Sequence, residues 1–120
     1  MLFNKYGYKG LMKFEIKEFY EICTSLKRIS ARKSQWLKLI KANRLVCPET
    51  GLKVHRLQLD VKQFKNGCSY HFNFYSECGE LFTVDHIIPK SKGGHPHKLE
   101  NLQPMIAVNN WKKGNTLIDI

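Results

Sequence analysis

The sequence lacks any apolar run approaching the roughly 18 residues that a membrane-spanning helix needs. It also lacks an internal repeat and a low-complexity tract, so nothing indicates a repeat architecture. Cysteine is scarce, with four residues, and no signal-peptide pattern stands at the start. We therefore expect reduced thiols and a cytoplasmic location, not a disulfide-stapled secreted domain.

Acidic residues are also scarce, with 10 against 20 lysines and arginines, and the net charge of +10 indicates a polyanionic partner. The excess is uneven. Residues 1–46 hold 11 basic and three acidic residues, whereas residues 47–120 hold nine and seven. We therefore divide the chain into a basic N-terminal segment (1–46) and a second unit (47–120), which at this length are expected to form one compact domain.

The most informative stretch begins with Asp85 and His86, which follow the β-prone run 81–84. Neighbouring side chains on a strand point to opposite faces. Asp85 and His86 can therefore serve one site only where the strand ends. Pro89 and the pair Gly93-Gly94 then interrupt regular structure, which predicts a loop.

The stretch continues with Asn101, and Asn110 follows nine residues later, just before a Lys-Lys-Gly sequence. We predict a return strand over 102–105 and a helix over 105–113 that is capped by Gly114. Two strands and a helix would then surround one cation.

The order and spacing of these residues resemble the HNH nuclease motif, in an HNN-type variant typical of stand-alone phage and homing endonucleases. The resemblance implies an α+β fold with a ββα-metal catalytic motif. We expect this motif to be preceded by a β-hairpin and an N-terminal basic helical segment. The activity it implies is hydrolysis of DNA phosphodiester bonds by a metal-dependent endonuclease.

The resemblance implies a role for five residues. Asp85 matches the metal-binding acid and Asn110 the second ligand of one divalent cation. His86 matches the general base that activates water for in-line attack on phosphorus, and histidine suits proton transfer near neutral pH. Asn101 matches the residue that braces the loop and orients the base. Lys113 matches a basic residue near the phosphate.

Two oxygen ligands suit Mg²⁺ or Mn²⁺, which retain waters and share substrate phosphate oxygens. A histidine at position 110 would have favoured softer metals. Many family members also carry two Cys-x-x-Cys pairs that bind a structural zinc. Here the second pair would fall at Ile106 and Asn109, and the first survives only as Cys47 with Thr50 in place of its partner.

We therefore predict no structural zinc and expect the thiols to pack in the core. An alternative site built from Cys47, Cys68, Cys78 and either His55 or His71 stays open. The ten-residue spacing of Cys68 and Cys78 is not that of a zinc knuckle.

Outside the motif, helices are predicted over 13–29 and 34–42, and paired strands within 52–74 with a turn at Asn66-Gly67. A basic connector joins the two helices. We expect it to lie along the backbone of double-stranded DNA through Arg28, Arg32 and Lys33, although a solvated helix face is the alternative. Further DNA contacts are predicted near the motif, at Lys90, Lys92 and Lys112.

Three functions are compatible with these observations. A metal-dependent DNA endonuclease is favoured, acting in the cytoplasm, which is that of the host cell if a phage encodes it. A nucleic-acid-binding module that kept the scaffold and lost catalysis is the alternative. A secreted toxin nuclease is disfavoured because no translocation or receptor segment is present. The sequence leaves the target site and the oligomeric state open.

Overall fold

The structure, a computed structural model, describes residues 4–114 and confirms the α+β class. One antiparallel sheet carries three helices. The elements follow in the order β1 (Tyr8–Phe14), α1 (Ile16–Thr24), α2 (Ala31–Lys41), β2 (Arg56–Phe64), β3 (Gly67–Tyr75), β4 (Leu81–His86), β5 (Leu102–Ile106) and α3 (Ala107–Lys113). Single 3-10 turns at Lys90–Lys92 and Leu99–Asn101 interrupt the loop between β4 and β5.

The strands lie in chain order, β1-β2-β3-β4-β5, and each pairs with its neighbour in the antiparallel sense. Strands β2 and β3 form a long hairpin from Arg56↔Tyr75 to Phe64↔Gly67. Strands β3 and β4, in contrast, pair only at Phe74↔Phe82 and Tyr75↔Leu81. The fold therefore divides into a hairpin arm (β1–β3) and a motif arm (β4, β5 and α3).

Aromatic side chains fill the core between the sheet and the helices α1 and α2. The Trp36 ring of α2 stacks on Phe74 at a centroid distance of 4.1 Å, and Phe19 of α1 meets Phe74 edge-on at 5.3 Å. Both Phe19 and Trp36 are almost completely buried, as are Leu39 and Leu57. This packing fixes α2 against the sheet, and α2 reaches the candidate site described below.

The opposite face of the hairpin arm buries a polar network around Asp60, which is inaccessible to solvent. The Asp60 carboxylate accepts hydrogen bonds from Tyr75 Oη, Asn73 Nδ2 and Gln58 Nε2. Burial, followed by the hydrogen bond to Asp60, raises the pKa of the Tyr75 hydroxyl. Tyr75 is therefore a neutral donor, and a buried carboxylate with three donors is satisfied.

The predicted helix over 13–29 is wrong at both ends. Lys13 and Phe14 belong to β1, where they pair with Gln58 and Leu57. The helix ends at Thr24, because the Ser25 hydroxyl donates to Ile22 O at 2.7 Å and competes with continued helical hydrogen bonding. Residues 1–46 therefore contribute a strand to the same sheet as residues 47–114.

The second predicted helix starts three residues earlier than expected, at Ala31, because Ser30 caps it by accepting a hydrogen bond from Lys33 N at 3.3 Å. The basic connector is therefore partly helical. The hairpin within 52–74 is confirmed, with Lys65-Asn66 as its two-residue loop and Gly67, at φ +147°, opening β3. The turn is thus one residue earlier than predicted.

We predict that Tyr75→Phe lowers the free energy of unfolding by about 1–3 kcal/mol, because it removes a donor to a buried carboxylate. Tyr70→Phe on the same strand is the control, since Tyr70 is 62% exposed and its substitution should change little. Urea denaturation of both variants measures the difference. Equal stabilities would show that Asp60 does not depend on Tyr75.

Candidate functional site

The end of β4 places Asp85 and His86 on opposite faces of the sheet, as strand geometry requires. Asp85 lies on the side of α3, where its carboxylate contacts Lys113. His86 lies on the side of α2, where its ring approaches Gln35. Both residues nevertheless line one cleft of about 420 Å³ together with Asn110, because the strand ends at His86. The predicted strand end is confirmed.

The Asp85 carboxylate is almost completely buried and already has two donors. Lys113 Nζ lies 3.0 Å from Oδ1 and 2.9 Å from Oδ2, and Gln103 Nε2 donates to Oδ2 at 2.8 Å. The two charged side chains are only 4% and 3% exposed. Gln103 stands directly opposite Asp85 in the β4–β5 ladder, so its contact follows from the strand register.

The Lys113 ammonium is enclosed by oxygen atoms. Besides the carboxylate it donates to His86 O at 2.8 Å and to Ile87 O at 3.2 Å. This position ties α3 to the end of β4. The role of Lys113 near the phosphate stays a prediction. In the structure its ammonium is directed into the protein, toward Asp85.

Asn110 is oriented by a chain of hydrogen bonds. The Thr83 hydroxyl donates to Met105 O at 3.1 Å, so its oxygen is left to accept from Asn110 Nδ2 at 2.8 Å. The amide orientation of Asn110 is thereby determined. Its Oδ1 has no hydrogen-bond donor within residues 4–114 and is the atom that can bind a cation.

The His86 ring is oriented by a backbone carbonyl. Its Nε2 lies 2.9 Å from Pro96 O, and because a carbonyl only accepts, Nε2 carries the hydrogen. In the neutral ring Nδ1 therefore holds the lone pair. Gln35 Nε2 donates to the same carbonyl at 2.9 Å. Gln35 Nε2 and His86 Nε2 lie 3.5 Å apart because both donate a hydrogen bond to Pro96 O.

Asn101 braces the loop that carries Pro96. Its Oδ1 accepts from Ile88 N at 2.7 Å, and its Nδ2 donates to Ile88 O at 3.0 Å and to His95 O at 2.9 Å. The loop passes so close that a Cβ at Gly94 would lie 1.7 Å from Ile88 O. The sequence analysis expected Asn101 to brace this loop. The same close approach of the loop to Ile88 requires glycine at position 94.

The cleft brings together some of the predicted residues and leaves others apart. Lys90 lines it beside Asp85, His86 and Asn110. Arg32 and Lys33 line a different cleft of about 520 Å³, where Lys33 Nζ lies 5.4 Å from the centre of the Phe72 ring. The other predicted basic residues, Arg28, Lys92 and Lys112, are exposed.

The donor set of the cleft fits a hard divalent cation. Asn110 offers an amide oxygen, and Asp85 retains one unused lone-pair position on Oδ1 within the part of the chain that the structure describes. The Lys113 ammonium shows that oxygen atoms converge on positive charge here. No group of three or more His, Cys, Asp or Glu residues that could hold a metal occurs between residues 4 and 114.

The four cysteines divide into two classes. Cys23 and Cys47 are buried in the main core, whereas Cys68 and Cys78 are exposed, so the expectation that they pack in the core is wrong for these two. Cys68 lies near the tip of the hairpin, and Cys78 lies in the turn before β4, where it contacts Ser76 Oγ at 3.1 Å. Their positions on turns explain the exposure.

Three residues of the site were missed by sequence reasoning. Thr83 stands two residues before Asp85 and therefore on the same face, and strand alternation could have identified it. Gln103 required the β4–β5 register. Gln35 is 51 residues from His86 along the chain and carries no local signal.

Comparison with known families found one match. Residues 66–116 match the family described as HNH endonuclease. This segment, which contains β3 to α3, is therefore similar to HNH endonuclease domains, and it has the strand-strand-helix order of that scaffold. No curated protein and no solved structure matches the chain.

We predict that Gly94→Ala lowers the free energy of unfolding by more than about 2 kcal/mol, because the new methyl group overlaps Ile88 O and displaces Asn101. The control is Gly93→Asn. Gly93 has a φ of +89° with open space around it, and asparagine tolerates positive φ better than most residues. Thermal unfolding compares the two, and equal midpoints would contradict the close approach at Gly94.

Proposed function

We propose that the protein is a metal-dependent DNA endonuclease with His86 as its general base. The observation that carries the proposal is the placement of His86 beside Asp85 and Asn110 in one cleft of an HNH domain. Members of the HNH endonuclease family are generally nucleases, and they act on nucleic acids. The choice of DNA and of these residues is our own inference.

His86 would act through Nδ1. The Pro96 carbonyl holds the hydrogen on Nε2, so Nδ1 is available to accept a proton from water as that water attacks phosphorus. One phosphorus–oxygen bond forms and the bond to the leaving oxygen breaks. The loop braced by Asn101 keeps Pro96 O in place, and Asn101 would therefore position the base through this loop.

Asp85 Oδ1 and Asn110 Oδ1 would hold one divalent cation, Mg²⁺ or Mn²⁺. When bound, such a cation stabilises the negative charge that develops on the phosphate and the leaving oxygen. Thr83 fixes the Asn110 amide, and Gln103 fixes the Asp85 carboxylate. These two neutral contacts orient both ligands from the sheet.

DNA is the favoured substrate because of the basic excess in residues 1–46. Phosphate contacts supply most nonspecific affinity for DNA. Arg32 and Lys33 lie in the first turn of α2, Arg28 lies three residues before the helix, and Lys90 lines the cleft. We propose that these residues, together with Lys92 and Lys112, contact the backbone of double-stranded DNA. Lys113 is not one of these contacts, because its buried ammonium is bound to Asp85.

A binding module that has lost catalysis is the alternative function. It predicts DNA affinity without cleavage. The intact set of Asp85, His86 and Asn110 favours the enzyme, because a binding module would tolerate the loss of any of them. We further propose one folded unit that acts in the cytoplasm and belongs to the phage or homing class of stand-alone nucleases. Within residues 4–114 no helix has the length and apolar character to cross a membrane.

The first functional prediction concerns His86→Ala. Cleavage of supercoiled plasmid should fall by about 10²- to 10⁴-fold, the usual range for loss of a general base, while DNA affinity is retained. EDTA should abolish wild-type cleavage, and Mg²⁺ or Mn²⁺ should restore it.

His95→Ala is the matched control, because His95 lies in the same loop and is exposed. Its side chain only caps the local turn by accepting from His97 N and Lys98 N. Cleavage by His86→Ala at the rate of His95→Ala would remove His86 from the mechanism. Full activity in EDTA would remove the metal.

The second functional prediction concerns binding. Replacing Arg28, Arg32 and Lys33 together by alanine should weaken affinity for any DNA sequence about equally. It should reduce the slope of log affinity against log salt by up to about 0.9 for each lost contact. The cleavage rate at saturating DNA should change little, because these three residues are not in the cleft.

A charge-matched control replaces Lys41, Arg44 and Lys53, three exposed basic residues, by alanine. It removes the same formal charge from the protein and separates local contacts from net charge. If the salt titrations of the two triple variants coincide, the start of α2 is a solvated face and DNA binding belongs to the rim of the cleft.

A further inference from the structure

Lys113 is the one lysine between residues 4 and 114 that is buried. Its ammonium lies within 3.2 Å of four oxygen atoms, namely both Asp85 carboxylate oxygens, His86 O and Ile87 O. An ammonium has only three hydrogens to donate, so these oxygens more than saturate it. Such a ring of oxygen atoms is the environment of a bound cation.

We propose that the Lys113 ammonium is the resident cation of the Asp85 site. It neutralises Asp85 while no metal is bound, and it withdraws from the carboxylate when a divalent cation binds. Lys113 is thus a positioning residue that sets the metal affinity and keeps the metal-free protein folded. This inference rests on the proposed function, because it assumes that Asp85 is a metal ligand.

The first argument is the energy of a buried charge. The Asp85 side chain is 4% exposed, and an ionised carboxylate buried to this degree without a partner is strongly destabilising. Gln103 supplies one neutral hydrogen bond only. Whenever no metal is bound, the buried carboxylate therefore requires another positive charge, and Lys113 is the one that contacts it.

The second argument is competition for lone pairs. A carboxylate offers about four acceptor positions. Oδ2 uses two of them for Lys113 and Gln103, and Oδ1 uses one for Lys113. A divalent cation on Oδ1 would stand next to the ammonium, and like charges at such short range repel strongly in a buried site. The ammonium must therefore move for the cation to bind well.

The third argument is that the ammonium has somewhere to move. His86 O and Ile87 O are not ligands of the proposed metal, and both accept hydrogen bonds from Lys113 Nζ. The lysine side chain is a flexible four-carbon stem with rotatable donors. The ammonium can leave the carboxylate and keep these two carbonyl partners, so the exchange does not strand a buried charge.

The test compares Lys113→Met with Lys112→Met in protein without DNA. Both variants lose one positive charge from adjacent positions of α3, but Lys112 is exposed. Mn²⁺ affinity is measured from the electron paramagnetic resonance of free Mn²⁺. Thermal unfolding is followed with and without saturating Mn²⁺.

For Lys113→Met we expect Mn²⁺ to bind at least about tenfold more tightly than to the wild type, because the competing charge is gone. The metal-free midpoint should fall by about 10–20 °C, and Mn²⁺ should restore most of that loss. Lys112→Met should match the wild type in both measurements. Mn²⁺ affinity that is unchanged or weaker in Lys113→Met, beside clear binding to the wild type, would overturn the inference and leave the metal site standing.

Failure of Lys113→Met to fold is covered by an experiment on the wild type. A buried, hydrogen-bonded ammonium exchanges its hydrogens slowly, so Lys113 should give a protected ¹⁵Nζ resonance in the metal-free protein. Titration with Mg²⁺ should shift that resonance in step with metal binding. A resonance that stays constant at saturating Mg²⁺ contradicts withdrawal of the ammonium. Absence of Mn²⁺ binding to any variant would instead contradict the proposed metal site.

Discussion

The alternation of side chains along β4 is the constraint on which the rest of the site depends. Because successive residues point to opposite faces, Asp85 faces α3 and His86 faces α2. Each helix therefore organises one half of the site, α3 through Lys113 and Asn110 and α2 through Gln35. The N-terminal helices are for this reason part of the architecture of the site and not an appendage to the segment that matches the HNH family.

The hydrophobic core holds the turn that follows Cys47. Cys47 and Ile106 belong to the same hydrophobic cluster as Trp36 and Leu39. Two backbone hydrogen bonds close the turn, since Cys47 N donates to Leu52 O and Gly51 N donates to Cys47 O, both at 2.8 Å. Buried apolar surface thus stabilises the turn.

Sequence reasoning anticipated the elements of the motif arm to within about two residues, because strand, loop and helix there follow from local signals such as Pro89 and Gly114. It anticipated less of the N-terminal segment. The local sequence predicts that Phe14 lies at the start of a helix, but Phe14 pairs with Leu57 and belongs to a strand. A partner 43 residues away cannot be inferred from the neighbouring residues alone. The same holds for Gln35, whose contact with Pro96 O exists only because α2 packs through Trp36 on Phe74.

The division of the sheet has a mechanical consequence. Only two residue pairs, Phe74↔Phe82 and Tyr75↔Leu81, connect the hydrogen-bond ladders of the hairpin arm and the motif arm. One hydrophobic cluster crosses this junction, because Trp36, Phe74 and Phe82 all belong to it. Side-chain packing therefore holds the two arms together where the backbone ladder is short, while the ladder of β4 and β5 runs unbroken from Phe82↔Ile106 to His86↔Leu102.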